Sequence, residues 1–130
     1  MSTTIHVLII DSDADTLKAC EEILSSWKAA TVTTCHSRAA MHEFCARNPD
    51  IVLTELVMPE RDGIELLLEI KRAAPQTKVI AMSGGGLSLP TDFVLHLARR
   101  LGADCTVSKP VDAIRLLEAI ETVLSRHTED

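Results

Sequence analysis

The sequence predicts an α/β fold in which a doubly wound parallel sheet is covered by helices on both faces, a three-layer sandwich. Two observations carry this. Short runs, apolar or β-branched, recur five times, at Ile5 to Ile10, Thr31 to Cys35, Ile51 to Leu53, Lys78 to Met82 and Asp104 to Ser108. A segment suited to a helix follows each run, and the connections are too short for anything but right-handed crossovers between parallel strands.

The elements follow in order. Ile5-His6-Val7-Leu8-Ile9-Ile10 is a nearly continuous apolar run, the mark of a strand buried on both faces, and it ends abruptly in Asp11-Ser12-Asp13-Ala14-Asp15. Leu17, Cys20, Ile23, Leu24 and Trp27 recur at helical spacing, so Ala14 to about Lys28 is expected to be an amphipathic helix, with its acids at the favourable amino end and Trp27 in the core or at its edge. Thr31 to Cys35 is the second strand, and Ser37 is the expected N-cap of a helix running through Arg47. Ile51-Val52-Leu53 reads as a buried strand with Glu55 at its carboxyl end. Met58-Pro59 must leave the sheet, because proline lacks a donor, and Asp62-Gly63 supplies turn chemistry before the helical run Ile64 to Ala74, which Pro75 closes.

Lys78 to Met82 forms the fourth strand, ending at Ser83 and running into Gly84-Gly85-Gly86. Pro90-Thr91-Asp92 opens a helix through Arg99-Arg100-Leu101, and Gly102 stops it. After the fifth strand, Lys109-Pro110 leads to a last helix from Val111 to about Ser125, with Ile114, Leu117, Ile120 and Leu124 on one face. Five strand-helix units fit the flavodoxin-like strand order 2-1-3-4-5. Residues 1–130 are expected to form one domain, with its core at about residues 5–125 and a polar tail, Arg126 to Asp130, that frays.

Composition narrows the function. A chain of 130 residues is long enough to bury roughly two thirds of its unfolded surface. Its 46% hydrophobic and 25% charged content is ordinary for a soluble protein, with no run long enough to span a membrane. No basic segment precedes Ile5, so no secretory signal is visible and a cytoplasmic location is expected. The net charge of -6 disfavours direct nucleic-acid binding, which needs a basic face to neutralise phosphates. Cys20, Cys35, Cys45 and Cys105 form no CxxC pair, which argues against zinc and a disulfide scaffold and for buried free thiols. His6, His36, His42, His96 and His127 show no metal-binding spacing, and Ser83-Gly84-Gly85-Gly86 matches neither GxGxxG nor GxxxxGK.

Strand ends in a doubly wound fold lie at one edge of the sheet, where ligands and chemistry collect. Here they carry Asp11, Ser12 and Asp13 after the first strand, Glu55 after the third, Ser83 after the fourth and Lys109 after the fifth. Together these residues resemble the receiver domain of two-component response regulators, a chemotaxis-regulator-like module, over Ile5 to about Ser125. The specific pieces are Val52-Leu53-Thr54-Glu55-Leu56-Val57-Met58-Pro59 with Asp62-Gly63, and Gly102-Ala103-Asp104 leading to Ser108-Lys109-Pro110.

The resemblance implies roles. An aspartate at the position of Glu55 accepts a phosphoryl group from a histidine kinase, two adjacent acids hold magnesium, Lys109 contacts the phosphoryl and Ser83 is the hydroxyl that moves to bond it. Such a reaction needs cations on both sides of the attacking carboxylate, and magnesium takes hard oxygen ligands. The fourth helix with Arg99 and Arg100, the fifth strand with Thr106, and the fifth helix form the surface offered to a kinase or effector.

Three departures stand out. Glu55 is one methylene longer than the acceptor aspartate, Ser12 is a neutral hydroxyl where the second acid belongs, and Thr106 occupies the position of a switching tyrosine or phenylalanine. The expectation is therefore an atypical receiver of a phosphorelay, phospho-silent or fixed in one state, which is no enzyme and needs no cofactor. Magnesium enters only if the acidic pocket still binds it, with Asp11 as a weak ligand. The alternative is a phosphoacceptor using a nonstandard acid, Asp11 or Asp13. A plain ion-paired role for Glu55 also stays open. A flavin-binding electron carrier on the same fold would want aromatic residues to stack its cofactor, and the chain has one Trp, two Phe and no Tyr.

Overall fold

The computed structural model describes residues 4–27, 30–57, 62–84 and 90–127. Strands β1 (Ile5–Ile10), β2 (Ala30–Cys35), β3 (Ile51–Glu55), β4 (Lys78–Ser83) and β5 (Cys105–Ser108) form one parallel sheet in the order β2-β1-β3-β4-β5. Helices α1 (Ala14–Ser25), α2 (Ala40–Arg47), α3 (Gly63–Ala73), α4 (Thr91–Arg100) and α5 (Ala113–His127) connect and cover it. The expected order and class are those observed.

Alternation along the strands sorts the core into two layers. Leu8, Ile10, Val52 and Ala81 face one way and pack with Phe44, Leu66, Leu67, Ile70, Val94, Leu95 and Ala98 of α2, α3 and α4. Val7, Ile9, Leu53, Ile80 and Met82 face the other way and pack with Cys20, Leu24, Leu116, Ile120 and Val123 of α1 and α5. The apolar side chains of β1 from Val7 to Ile10 and of β3 from Ile51 to Leu53 are wholly buried, and each is worth about 1.5–3 kcal/mol of hydrophobic stabilisation. None of the described helices is long and apolar enough to cross a membrane.

Local chemistry sets the helix ends. Asp13 caps α1 by accepting from the Thr16 N–H, and Asp62 caps α3 by accepting from the Ile64 and Glu65 N–H groups. Gly63 must be glycine because a Cβ there would lie 2.3 Å from the Leu56 carbonyl oxygen. Gly102 ends α4 at φ +122°, in a region that disfavours any side chain.

Three expectations need correction. Ser37 does not cap α2: residues Ser37–Ala39 form a separate 3-10 turn, His36 Nδ1 accepts from the Arg38 N–H, and α2 starts at Ala40 without a side-chain cap. The His36 ring acceptor takes over the capping role, and Ser37 is buried instead. Of the apolar face expected on α5, Ile120 is buried and Leu117 and Leu124 pack partly buried against the core, but Ile114 is 69% exposed, and Leu116, Ala119 and Val123 complete the buried stripe. Both apolar sets have helical spacing, and small Ala119 is the side chain turned into the core here. Cys45 is exposed, whereas Cys20 and Cys35 are buried as expected and all four thiols are free. The expected tail beyond His127 lies outside the described residues.

At the amino edge of the sheet, Lys71 Nζ lies 2.7 Å from Asp104 Oδ2 and donates to the Thr77 carbonyl at 2.7 Å, while the same Asp104 oxygen accepts from the Val79 N–H at 2.8 Å. This partly buried bracket ties the end of α3 to the starts of β4 and β5. Replacing Lys71 by methionine removes this ammonium and its contacts to Asp104 and the Thr77 carbonyl, and is expected to cost about 1–3 kcal/mol. Urea unfolding midpoints of wild type and Lys71→Met measure it, and an unchanged midpoint would refute the role given to the bracket.

Candidate functional site

Parallel strands end at one edge, so residues just beyond them meet whatever their separation in the chain. Asp11 follows β1, Glu55 ends β3 and Lys109 follows β5. Asp11 is 1% exposed and Glu55 4%, so two carboxylates stand in a place that would be costly without a cation. Lys109 supplies it. Its ammonium lies 2.8 Å from Asp11 Oδ2 and pairs directly with Glu55 Oε1.

The remaining oxygens are also engaged. Glu55 Oε2 accepts from the backbone N–H groups of Leu56 and Val57, both at 3.1 Å, so the carboxylate turns back over the start of the β3–α3 turn. Asp11 Oδ1 accepts from the Asp13 N–H at 2.8 Å. Asp11 Oδ2 shares in the ion pair without an aligned hydrogen bond. The two peptide donors after Glu55 were not legible in the sequence, because any residue supplies an N–H.

Asp13 points elsewhere. It is exposed, and its carboxylate takes the Thr16 hydroxyl at 2.8 Å and the Thr16 N–H at 3.3 Å. The Thr16 hydroxyl is the main reason its carboxyl sits below the ordinary value. Ser12 is partly exposed. Ser83, at the end of β4, is buried, and its carbonyl accepts from the Lys109 N–H at 3.1 Å. Gly84 follows, where an added Cβ would come within 3.3 Å of Lys109 Cβ, so only a bare backbone leaves the lysine stem its present room. The sequence marked Gly84 as part of a glycine run, not for this contact.

Thr106 lies on β5 opposite Ala81 and is partly exposed, and Arg99 and Arg100 are exposed on the last turn of α4. The structure thus gathers Asp11, Glu55, Ser83 and Lys109 at one edge, leaves Asp13 as a helix cap, and places Thr106, Arg99 and Arg100 on a flank. Among the described residues, no group of three or more His, Cys, Asp or Glu side chains could hold a metal ion. The cation between Asp11 and Glu55 is an ammonium.

Burial beside the cluster pushes the Cys20 thiol up to about 11, with the Asp11 charge adding to it. Burial works to lower the Lys109 pKa, but the paired Asp11 and Glu55 carboxylates outweigh it and hold the ammonium above its ordinary 10.5. A group raised in the folded state contributes stability that is complete below its unfolded pKa and is lost as pH rises through the folded one. Wild type is therefore expected to lose stability above about pH 10.4. Lys109→Met is expected to be about 1–3 kcal/mol less stable at pH 7 and to lack that alkaline component. Thermal unfolding of both proteins from pH 7 to 11 tests this, and parallel curves would refute it.

Comparison with known proteins bears on the same constellation. The family model described as the response regulator receiver domain matches residues 7–121. The chemotaxis protein CheY of Bacillus subtilis is 32% identical over 122 residues, covering 92% of this chain and 98% of that protein. The response regulator protein PilR of Pseudomonas aeruginosa is 34% identical over 118 residues, 90% of this chain but only 25% of that longer protein. Among solved structures, a response regulator receiver domain protein from Clostridium thermocellum superposes with a TM-score of 0.82 at 28% identity, covering 94% of this chain and 95% of that one. With the sheet order and the strand-end cluster already in place, the match over nearly the whole length means that this chain belongs to the response regulator receiver domain family of two-component signalling.

Proposed function

We propose that this receiver is atypical: it is phospho-silent or held in one state, and it acts through protein-protein contacts instead of through a phosphorylation cycle. The observation that carries the reading is the closure of the acidic cluster, in which Lys109 pairs with both Asp11 and Glu55 while the second Glu55 oxygen accepts two backbone N–H groups. Phosphoryl transfer requires a carboxylate oxygen free to attack phosphorus as the bond to the donor breaks, with cations ready for the charge that develops. Glu55 offers no such oxygen, and its extra methylene moves the carboxylate from where the family's aspartate would attack.

Magnesium fits this donor set poorly. It prefers an octahedral shell of oxygens, commonly one or two carboxylates with waters and phosphate. Here Asp11 alone presents a carboxylate oxygen lacking a hydrogen bond, that oxygen already faces an ammonium, and Ser12 adds a neutral hydroxyl. On this reading the protein needs no cofactor and is no enzyme. Its partners are a histidine kinase or a downstream effector that meets the α4-β5-α5 face with Arg99, Arg100 and Thr106, in the cytoplasm and without direct nucleic-acid contact. The alternative, phosphoacceptance by a nonstandard acid, draws support from the exposure of Asp13, although that carboxylate is committed to capping α1.

Intact-mass analysis after incubation with a small phosphodonor and magnesium tests the proposal. Wild type is expected to stay unlabelled. Glu55→Asp shortens the acceptor but leaves Ser12, and Ser12→Asp restores a metal ligand beside a misplaced acceptor, so each alone is expected to give little product. The double variant supplies nucleophile and Lewis acid for one transition state, and its labelling is expected to exceed the sum of the singles and to depend on magnesium. Magnesium-dependent labelling of the wild-type chain at Glu55, Asp11 or Asp13 would overturn the phospho-silent reading.

A further inference from the structure

β5 is the last strand of the sheet, with β4 as its one neighbour, and a cleft of about 470 Å³ runs along its open side between α4 and α5. That volume falls in the range of small-molecule sites, roughly 300–1,000 Å³. Leu95, Val107 and Ala119 form a buried apolar floor, and Thr106 lines it with a side chain too small to fill the space. The chain brings no ring of its own, since neither Trp27, Phe44 nor Phe93 lines the cleft.

The rims are charged. Asp92, His96 and Arg99 from α4 and Arg115 and Glu118 from α5 line the cleft, and all five are exposed. No ion pair crosses it among the described residues, and Arg115 meets only Asp112 on its own helix, at 3.9 Å. Two acids and two arginines leave the rims balanced, so a ligand with charge of one sign alone meets repulsion as well as attraction. Both helices descend from the carboxyl edge of the sheet by about 1.5 Å per residue, α4 from Thr91 and α5 from Ala113. Asp92 and Arg115 therefore share the top level on facing helices, and Arg99 lies lowest of the charged groups.

We propose that the cleft is a binding site for an aromatic α-amino acid. Opposite charges at one level call for a ligand that carries both signs at one end, and an α-amino acid holds its ammonium and carboxylate on a single carbon. The ammonium meets Asp92, and the carboxylate meets the Arg115 guanidinium, whose planar fork matches it. The side chain then extends down β5, over Thr106 and onto the apolar floor. A ring gains most from that floor, and Arg99 stands at the level where a guanidinium lies over the ring's outer face. The interior of a peptide carries neither terminal charge and each of its ends carries one, so the free amino acid is the better match. The phospho-silent reading does not require this site, and the test below uses no phosphodonor, so the two can fail separately.

Titration of the whole chain with L-tryptophan, followed by amide NMR, is expected to give saturable shifts at Thr106, Val107 and Ala119 with a Kd on the order of 1 mM. Indoleacetate lacks the ammonium and tryptamine lacks the carboxylate, and each is expected to bind at least about tenfold more weakly. L-alanine lacks the ring and is expected to leave the cleft unshifted. Arg115→Ala is expected to weaken tryptophan at least about tenfold and to leave tryptamine unchanged, because only the first presents a carboxylate. Thr106→Phe fills the cleft from within and is expected to abolish binding. Circular dichroism melts confirm that each variant folds, and Arg115, being exposed, can be replaced without touching the core. Wild type without saturable shifts at the cleft, L-alanine shifting the cleft as much as tryptophan does, or a folded Arg115→Ala chain that binds tryptophan as tightly as wild type would each overturn the proposal.

Discussion

The ammonium of Lys109, held between the carboxylates of Asp11 and Glu55, is the contact on which the carboxyl edge of this domain depends. Two acids that are almost wholly buried could not share that space without a cation, and the sheet order brings one to them. Lys109 arrives from beyond β5, while Asp11 directly follows β1 and Glu55 ends the neighbouring strand β3. A contact that spans nearly the whole domain in sequence is thus produced by parallel strands that end together. It also balances the charge of the site from within the chain, one ammonium meeting both carboxylates.

That closure links the site to the flank of the molecule. Lys109 directly follows β5, and its backbone N–H is bonded to the Ser83 carbonyl at the end of β4. The same strand carries Thr106 into the cleft between α4 and α5. A position that could hold a large ring holds a small hydroxyl instead, so the groove stays open and its charged rims stay exposed. The ion-paired Lys109 at one end of β5 and the open groove along its side are two consequences of residue choices on adjoining stretches of chain.

At the opposite edge, the Lys71–Asp104 bracket joins the end of α3 to the starts of β4 and β5. It anchors β5 from below as Lys109 does from above. The short terminal strand has one neighbour only, so these two polar clamps supplement a ladder that is complete on one side.

The sequence by itself determined the five strand-helix units, the strand order and the edge at which Asp11, Glu55, Ser83 and Lys109 meet, because apolar runs and the turns after them act locally and parallel topology then leaves few choices. Only the tertiary structure decided the rest. Ile114 and Leu116 carry equivalent helical patterns, and packing against the sheet alone chose which of them α5 buries. Ser37 looked like a cap, yet the neighbouring His36 ring could reach the Arg38 N–H. That Lys109 takes both acids, that the Leu56 and Val57 N–H groups complete the Glu55 shell, and that Asp13 turns away to cap α1 depend on distances and directions in space. Residue identity names the donors and acceptors of such a cluster, and the three-dimensional arrangement decides which of them meet.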